Sequence, residues 1–139
     1  MDPIMQEASS IQEILVHHRR YLHRHAELGM DLPVTKTYVM EQLVKMGYEP
    51  KEICPSGIVA LVGEKKSGKT FLLRADMDAL PIKEESDLEF KSETNAMHTC
   101  GHDTHTAMLL GAAQILKAHE DEIEGQVKLM FQPGMVSIR

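Results

Sequence analysis

The residues best suited to chemistry lie in the stretch 98–105, which holds a cysteine, three histidines and an aspartate within eight positions. Cys100 and His102 are separated by one glycine, and Asp103 follows directly. A thiolate and an imidazole together favour a borderline-soft divalent metal such as zinc, manganese, cobalt or nickel, and a nearby carboxylate can orient a histidine ligand. The sequence therefore predicts a metal site in a metallohydrolase, with a solvated polar loop as the alternative.

Two acidic residues precede this stretch. Asp76 and Asp78 follow an apolar segment that is predicted to be a buried strand. Acidic side chains at such a strand end are costly unless they are paired or bound to a metal, and α/β sheets place their sites at strand ends. Because side chains alternate along a strand, the two carboxylates are predicted to lie on the same side. A turn that they cap before Pro81 is the alternative interpretation.

The elements that must position these residues are indicated by the spacing of apolar side chains. Helical spacing predicts helices over residues 11–27, from Pro33 to Gly47, and over residues 104–119. Short apolar runs predict strands over residues 57–63, 70–74 and 126–132. The first two strands are predicted to form a hairpin through the polar turn 64–69. Helices interleaved with buried strands indicate one α/β domain.

The segment from Gly63 to Thr70 fits the pattern G-x-x-x-x-G-K-[ST] of a phosphate-binding loop. Such a loop must open a helix, so that backbone N–H groups and the helix dipole converge on the phosphates. The residues that follow Thr70 favour a strand instead. A non-catalytic module that binds a metal, or a nucleotide through this loop, is therefore kept as the alternative function.

Composition narrows the class of partner. The 139 residues carry a formal net charge of −6, which argues against a nucleic acid held through its phosphates. No segment has the roughly 20 apolar residues of a membrane span, and residues 1–7 show no signal peptide, so we expect a cytoplasmic protein without a membrane partner. Because Cys54 and Cys100 are the only cysteines, no structural disulfide is expected and Cys100 is free to bind a metal.

Four short motifs carry a family resemblance. They are RRYLHRHAEL at residues 19–28, RADMDALPI at 74–82, MHTCGHDTHT at 97–106 and MFQP at 130–133. In order and spacing they resemble the metal-dependent aminoacylase family of amidohydrolases, which includes hippurate hydrolases, N-acetyldiaminopimelate deacetylases and plant indoleacetyl-amino-acid hydrolases. Ala26 stands where a proline is common in that family.

The resemblance implies a fold and an activity. The fold is α/β, a mixed sheet flanked by helices in a three-layer arrangement, as in zinc peptidases. Residues 1–139 correspond to the N-terminal part of the catalytic domain, without the lid or dimerisation domain. The activity is hydrolysis of an N-acyl amino acid, a small-molecule substrate, with two divalent metal ions of zinc, manganese, cobalt or nickel. Intact relatives are expected to be homodimers or higher homo-oligomers.

The resemblance also implies roles for particular residues. Cys100 and His102 match two of the family's metal ligands. Asp76 matches the acidic catalytic-site residue that orients a ligand and tunes the metal centre. Asp78 is the second candidate for that role.

The resemblance ends after Gln132 and Pro133. In the family a small residue and two adjacent glutamates follow, the first acting as base and the second as ligand, whereas this chain has Met135 and Val136. A thioether carries no proton at neutral pH, and valine offers no lone pair. We therefore expect a truncated and inactive fragment whose unpaired strands expose apolar edges.

Overall fold

The computed structural model describes residues 1–64 and 68–134. A short 3-10 helix, Glu120–Glu122, connects the last helix to the last strand. The predicted α/β class with a mixed sheet is confirmed. The main elements are, in chain order, α1 (Pro3–Ser10), α2 (Gln12–Arg24), α3 (Pro33–Met46), β1 (Lys51–Cys54), β2 (Gly57–Val62), β3 (Thr70–Asp76), α4 (His102–Ala118) and β4 (Gln126–Gln132).

The helix predicted after Pro33 is confirmed as α3. Proline suits the first turn because its missing N–H has no partner there in any case. The Glu27 carboxylate accepts hydrogen bonds from the N–H groups of Val34 and Thr35, at 3.2 and 2.7 Å. Gly47 ends the helix in the left-handed conformation, with φ of 99°.

The other two predicted helices are present with different ends. α2 ends at Arg24 rather than near residue 27, and a separate helix, α1, precedes it. No residue of α1 is buried, although its start has local signals, since Asp2 caps it and Pro3 is its first residue. α4 begins at His102 instead of Thr104. His102 is therefore helical and not part of the preceding loop.

The sheet has the strand order β1-β2-β4-β3. β2 pairs antiparallel with both β1 and β4, whereas β3 and β4 run parallel, from Thr70 opposite Gln126 to Asp76 opposite Gln132. α4 supplies the long crossover that two parallel strands require. β4 has the predicted bounds of residues 126–132.

The predicted hairpin between the strands at residues 57–63 and 70–74 is wrong, because β4 lies between β2 and β3. β4 pairs along both of its edges and thereby separates two strands that are neighbours in sequence. Residues 65–67 of the predicted turn, which also belong to the phosphate-loop pattern, lie outside the described residues. Thr70 begins β3 rather than a helix, so the phosphate-loop alternative lacks the helix N-terminus that its chemistry needs.

The helices cover one face of the sheet. On this face Ile58, Leu129 and Phe131 are fully buried in one cluster with residues of α3 and α4, such as Val39 and Leu110. Of the three layers expected, the described residues form the sheet and one helical layer. Within the described part of the chain, no helix is long and apolar enough to cross a membrane.

His18 of α2 gives this fold a defined response to acid. The ring is buried, its Nδ1 shares a 2.6 Å hydrogen bond with the Tyr38 hydroxyl, and its Nε2 has no partner among the described residues. Burial, reinforced by the neighbouring His17, lowers the pKa of His18 from 6.5 to about 4. The folded protein therefore holds this imidazole neutral at pH values where a free histidine is charged.

We expect His18→Gln to flatten the loss of stability between pH 6.5 and 4. In this window the unfolded chain binds a proton at His18 that the folded chain does not, so acid favours unfolding by up to about 1.4 kcal/mol per pH unit. Urea unfolding at several pH values measures the slope, and Glu13→Gln, an exposed change in the same helix, is the control. A slope unchanged by His18→Gln would mean that the ring is already protonated in the folded protein.

Candidate metal centre

Backbone hydrogen bonds bring the end of β3 and the start of α4 together. The N–H of Met77 donates to the carbonyl of Gln132 at 2.9 Å, so the pairing with β4 continues just past Asp76. Leu80 and Met97 then exchange two hydrogen bonds, of 3.0 and 2.9 Å, which close the base of the loop between β3 and α4. The stretch 98–105 consequently returns to the end of β3.

Asp76, His102 and His105 form the group best placed to hold a metal ion. One potential ligand atom from each lies within 4.8 Å of the other two. His105 Nδ1 donates to Asp76 Oδ1 at 2.7 Å, and His102 Nε2 lies 3.3 Å from Asp76 Oδ2. The two imidazoles are stacked, with ring centroids 5.6 Å apart. A carboxylate and two imidazoles of this kind suit borderline divalent metals.

Asp78 fixes the orientation of His102. The His102 Nδ1–H points at the carbonyl oxygen and at Oδ1 of Asp78, both at 2.9 Å. A hydrogen bond at one ring nitrogen determines the tautomer and leaves the other nitrogen for a ligand. In that tautomer the lone pair of Nε2 faces an oxygen of Asp76, so either a proton or a cation must lie between them. This arrangement fits a bound metal ion.

Asp76 is held as a carboxylate although it is buried at the end of β3. Burial raises the pKa of Asp76, but the hydrogen bond from His105 and the charge of His102 outweigh this and lower the pKa below its ordinary value. Arg74 adds a more distant cation, with its Nη2 3.6 Å from Asp76 Oδ2. The site therefore keeps a negative charge at neutral pH, as a metal ligand or an orienting carboxylate requires.

The structure places the predicted site residues as follows. Asp76 and His102 lie together, and Asp78 contacts His102. Cys100 is exposed in the loop just before Gly101, which precedes α4 with a positive φ of 81°. Cys100 is not a member of the three-residue group, and its role as a metal ligand stays a prediction.

His105 belongs to the group but received no role in the sequence analysis. Its signal is the three-residue separation from His102, which places two helical side chains on the same face. A helix that starts at Thr104, as the sequence predicts, leaves His102 in the loop and hides this relation. The start of α4 at His102 reveals it.

A buried network of charges lies beside the first turn of α4. Asp103 Oδ2 accepts hydrogen bonds from Arg19 Nε at 2.9 Å and from His23 Nδ1 at 2.8 Å. The other nitrogen of His23 lies 2.6 Å from Glu84 Oε1, and the side chains of Asp103 and Glu84 are completely buried. Because both nitrogens of His23 face carboxylates, both donate, and the ring is an imidazolium.

Glu84 ties the loop between β3 and α4 to this network. It accepts hydrogen bonds from the Ser86 hydroxyl and from the N–H of Ser92, the latter at 3.0 Å. Burial raises the pKa of Glu84, but these hydrogen bonds and the interaction with His23 outweigh it, and the net pKa is lowered. The carboxylate is therefore charged and anchors its loop to α2.

His98 is a second buried imidazole near the site. Its ring centroid is 6.4 Å from that of His23, and neither of its nitrogens has a partner among the described residues. Burial lowers the pKa of His98 to about 4, against the opposing effect of the Asp103 carboxylate. The ring is neutral at neutral pH and keeps a free lone pair.

Comparisons with known proteins identify relatives of this chain. Residues 72–134 match the model of peptidase family M20/M25/M40. Thermostable carboxypeptidase 2 of Saccharolobus solfataricus is 43% identical over 137 residues, which cover 96% of this chain and 35% of that protein. The hippurate hydrolase of Campylobacter jejuni is 43% identical over 84% of this chain and 30% of its own length. The chain thus spans about a third of the curated relatives it matches.

Solved structures show the same fold. A protein of methicillin-resistant Staphylococcus aureus described as an aminohydrolase superposes with a TM-score of 0.90 at 36% identity, over 96% of this chain and 35% of its own. A dinuclear metal-binding peptidase of the M20 family from Bacillus subtilis gives 0.85 at 34% identity, over 91% of this chain and 36% of its own. The predicted family resemblance and fold are confirmed.

We expect Asp103→Asn to destabilise the fold by about 3–5 kcal/mol, because it breaks a buried ion pair and removes the charged acceptor that His23 and Arg19 share. Urea unfolding at neutral pH measures the change. Asp121→Asn, at an exposed acidic residue after α4, is the matched control and should cost little. Equal stability of the two variants would show that the network contributes nothing to the fold.

Proposed function

We propose that this relative of the M20/M25/M40 peptidases supplies one side of the metal centre of an amidohydrolase that acts on N-acyl amino acids. The single observation that carries this proposal is the meeting of Asp76, His102 and His105 at the junction of β3 and α4. The orientation of His102 by Asp78 supports it, because fixing the ring leaves Nε2 available to a metal.

Each residue has a proposed task. His102 binds a metal ion through Nε2, and Cys100, two residues before it, supplies a thiolate ligand. Asp76 is the catalytic-site carboxylate, held charged by His105, and Asp78 is the positioning residue for His102. Divalent ions in such a site, zinc, manganese, cobalt or nickel, would polarise the amide carbonyl and lower the pKa of a bound water.

The names of relatives support the substrate class. Beside the hippurate hydrolase, an N-acyl-L-amino acid amidohydrolase of Geobacillus stearothermophilus and an N-acetyl-L-cysteine deacetylase of Bacillus subtilis match this chain at 42% and 38% identity. All three names describe an acyl group joined to an amino acid. The net charge of −6 fits a small molecule better than a nucleic acid as substrate.

Residues 1–139 are proposed to be part of the catalytic domain and to lack its proton carrier. General acid–base catalysis needs a side chain that takes a proton from the attacking water and gives it to the leaving amine. The family motif provides this carboxylate after Gln132 and Pro133, where the sequence of this chain has Met135 and Val136. We therefore propose that the chain alone binds a metal weakly and does not hydrolyse the substrate.

Metal titration tests the site directly. We expect His102→Ala and Asp76→Asn each to weaken zinc or manganese binding at least about tenfold in calorimetry, because each removes a donor from a site with few donors. Cys100→Ser should have a similar effect if the thiolate is a ligand. His17→Ala, which removes an exposed histidine of α2, should change nothing. Binding unaffected by both His102→Ala and Asp76→Asn would place the ion elsewhere.

A hydrolysis assay tests the missing base. With zinc or manganese present, we expect this chain to release no glycine from N-benzoylglycine, because a metal-bound water still needs a proton acceptor beside it. The Campylobacter jejuni hippurate hydrolase serves as positive control under the same conditions. Glycine release by this chain that His102→Ala abolishes would contradict the proposal.

A further inference from the structure

An open cleft lies between α2, α4 and the loop that precedes α4. Its volume is about 330 Å³, at the lower end of the range of roughly 300–1,000 Å³ that is usual for small-molecule sites. Most of the described residues that line it are apolar, two are arginines and none is acidic. The three residues of the candidate metal centre do not line it. We call it the α2–α4 cleft, and its lining includes Leu15, Val16, Arg19, Arg20, Phe90 and Met108.

Two arginines of α2 converge on the ring of Phe90 in this cleft. The guanidinium carbon of Arg20 lies 4.7 Å from the ring centroid, and that of Arg19 lies 5.1 Å from it. Arg19 Nε is paired with Asp103, whereas the guanidinium of Arg20 has no carboxylate partner within residues 1–64 and 68–134. In a protein with a net charge of −6, the α2–α4 cleft therefore carries a positive charge that the described residues do not neutralise.

Contacts within the fold hold the walls of the α2–α4 cleft in place. The ring of Phe90 meets the buried ring of His23 edge-on, with the ring centroids 5.6 Å apart. Leu15 occupies the space that a Cβ at Gly111 would fill, so α2 and α4 are in close contact at this point of the cleft. A site whose walls are already ordered costs a ligand less free energy to enter than one that must form on binding.

The lining favours a ligand with an apolar body and one negative charge. An inorganic anion would leave the apolar walls in contact with water, and a neutral apolar molecule would cover Arg20 without giving its charge a partner. A carboxylate accepts two parallel N–H groups from one guanidinium, which makes the pairing directional as well as electrostatic. An aromatic ring is a rigid apolar body that stacks on another ring such as Phe90. The α2–α4 cleft therefore fits a small aryl carboxylate.

We propose that the α2–α4 cleft is a binding site for a small aryl carboxylate. The carboxylate of the ligand pairs with Arg20, and its aromatic ring packs against Phe90, Val16 and Met108. This site is separate from the candidate metal centre, and binding there depends neither on a metal ion nor on the proposed hydrolysis.

Titration with 2-naphthoate, a fluorescent aryl carboxylate, tests the site. The chain contains no tryptophan, so no tryptophan emission overlaps with that of the ligand. We expect saturable 1:1 binding in the presence of EDTA. The neutral 2-naphthamide has a ring of the same shape and should bind at least about tenfold more weakly, because it cannot form the charged pair with the guanidinium. Acetate, which lacks the ring, should not displace 2-naphthoate.

Two matched pairs of variants locate the site. Arg20→Gln should weaken 2-naphthoate binding at least about tenfold, whereas Arg24→Gln, an arginine of the same helix outside the cleft, should leave it unchanged. Val16→Glu places a carboxylate in the wall and should also weaken binding, whereas Ile14→Glu should not. Val16 and Ile14 are 40% and 42% exposed, so the two changes are equivalent for the fold. Circular dichroism checks that all four variants are folded.

The absence of saturable binding would overturn the proposal. Equal affinities for 2-naphthoate and 2-naphthamide would overturn it too, because the charge of Arg20 would then have no role. Equal effects within either pair of variants would place the ligand outside the α2–α4 cleft. His102→Ala should bind 2-naphthoate as the unchanged chain does. If His102→Ala abolishes binding and Arg20→Gln does not, the ligand occupies the candidate metal centre and the proposal is wrong.

Discussion

The position of the candidate metal centre depends on the ion pairs that the buried imidazolium of His23 forms with two carboxylates. The imidazolium lies between Asp103 in the first turn of α4 and Glu84 in the loop that precedes this helix. With Arg19 on Asp103, the group contains two cations and two anions and is neutral as a whole. Each buried charge costs several kcal/mol unless it is paired. Since the pairing requires α2, the loop and α4 together, the network favours one arrangement of three segments that are far apart in sequence.

The arrangement of these three segments sets the distance between His102 and Asp76 in the site. His102 is the neighbour of Asp103 in the first turn of α4, so the network that holds one residue positions the other. Asp76 is the last residue of β3, and its pairing with Gln132 of β4 holds it in place. Because both sides belong to regular elements, the 3.3 Å between His102 Nε2 and Asp76 Oδ2 is determined by packing and not by a flexible loop.

The sequence alone predicted the parts of this structure that have local signals. α3 has a proline at its start and a glycine at its end, and β4 has a clear apolar run. Among the missed parts, α1 has a capping aspartate and a proline at its start, but it buries no residue and no glycine ends it. β1 is exposed along its length, and the pairing of β4 with two strands joins distant segments. In the site, Asp76 and His102 were predicted, whereas His105 was missed because its relation to His102 depends on where the helix begins.

An apolar cleft beside β3 adjoins the candidate metal centre, so the exposure of this cleft to water affects the chemistry of the site. The cleft beside β3 is lined by Leu73 and also by Asp76 and His105. The side chain of His105 is 49% exposed, and water therefore weakens its interaction with Asp76 in the uncovered chain. A segment packed into the cleft would exclude that water, and electrostatic interactions become stronger as the local dielectric constant falls. Exclusion of water from this cleft would thus strengthen the interaction that keeps Asp76 charged.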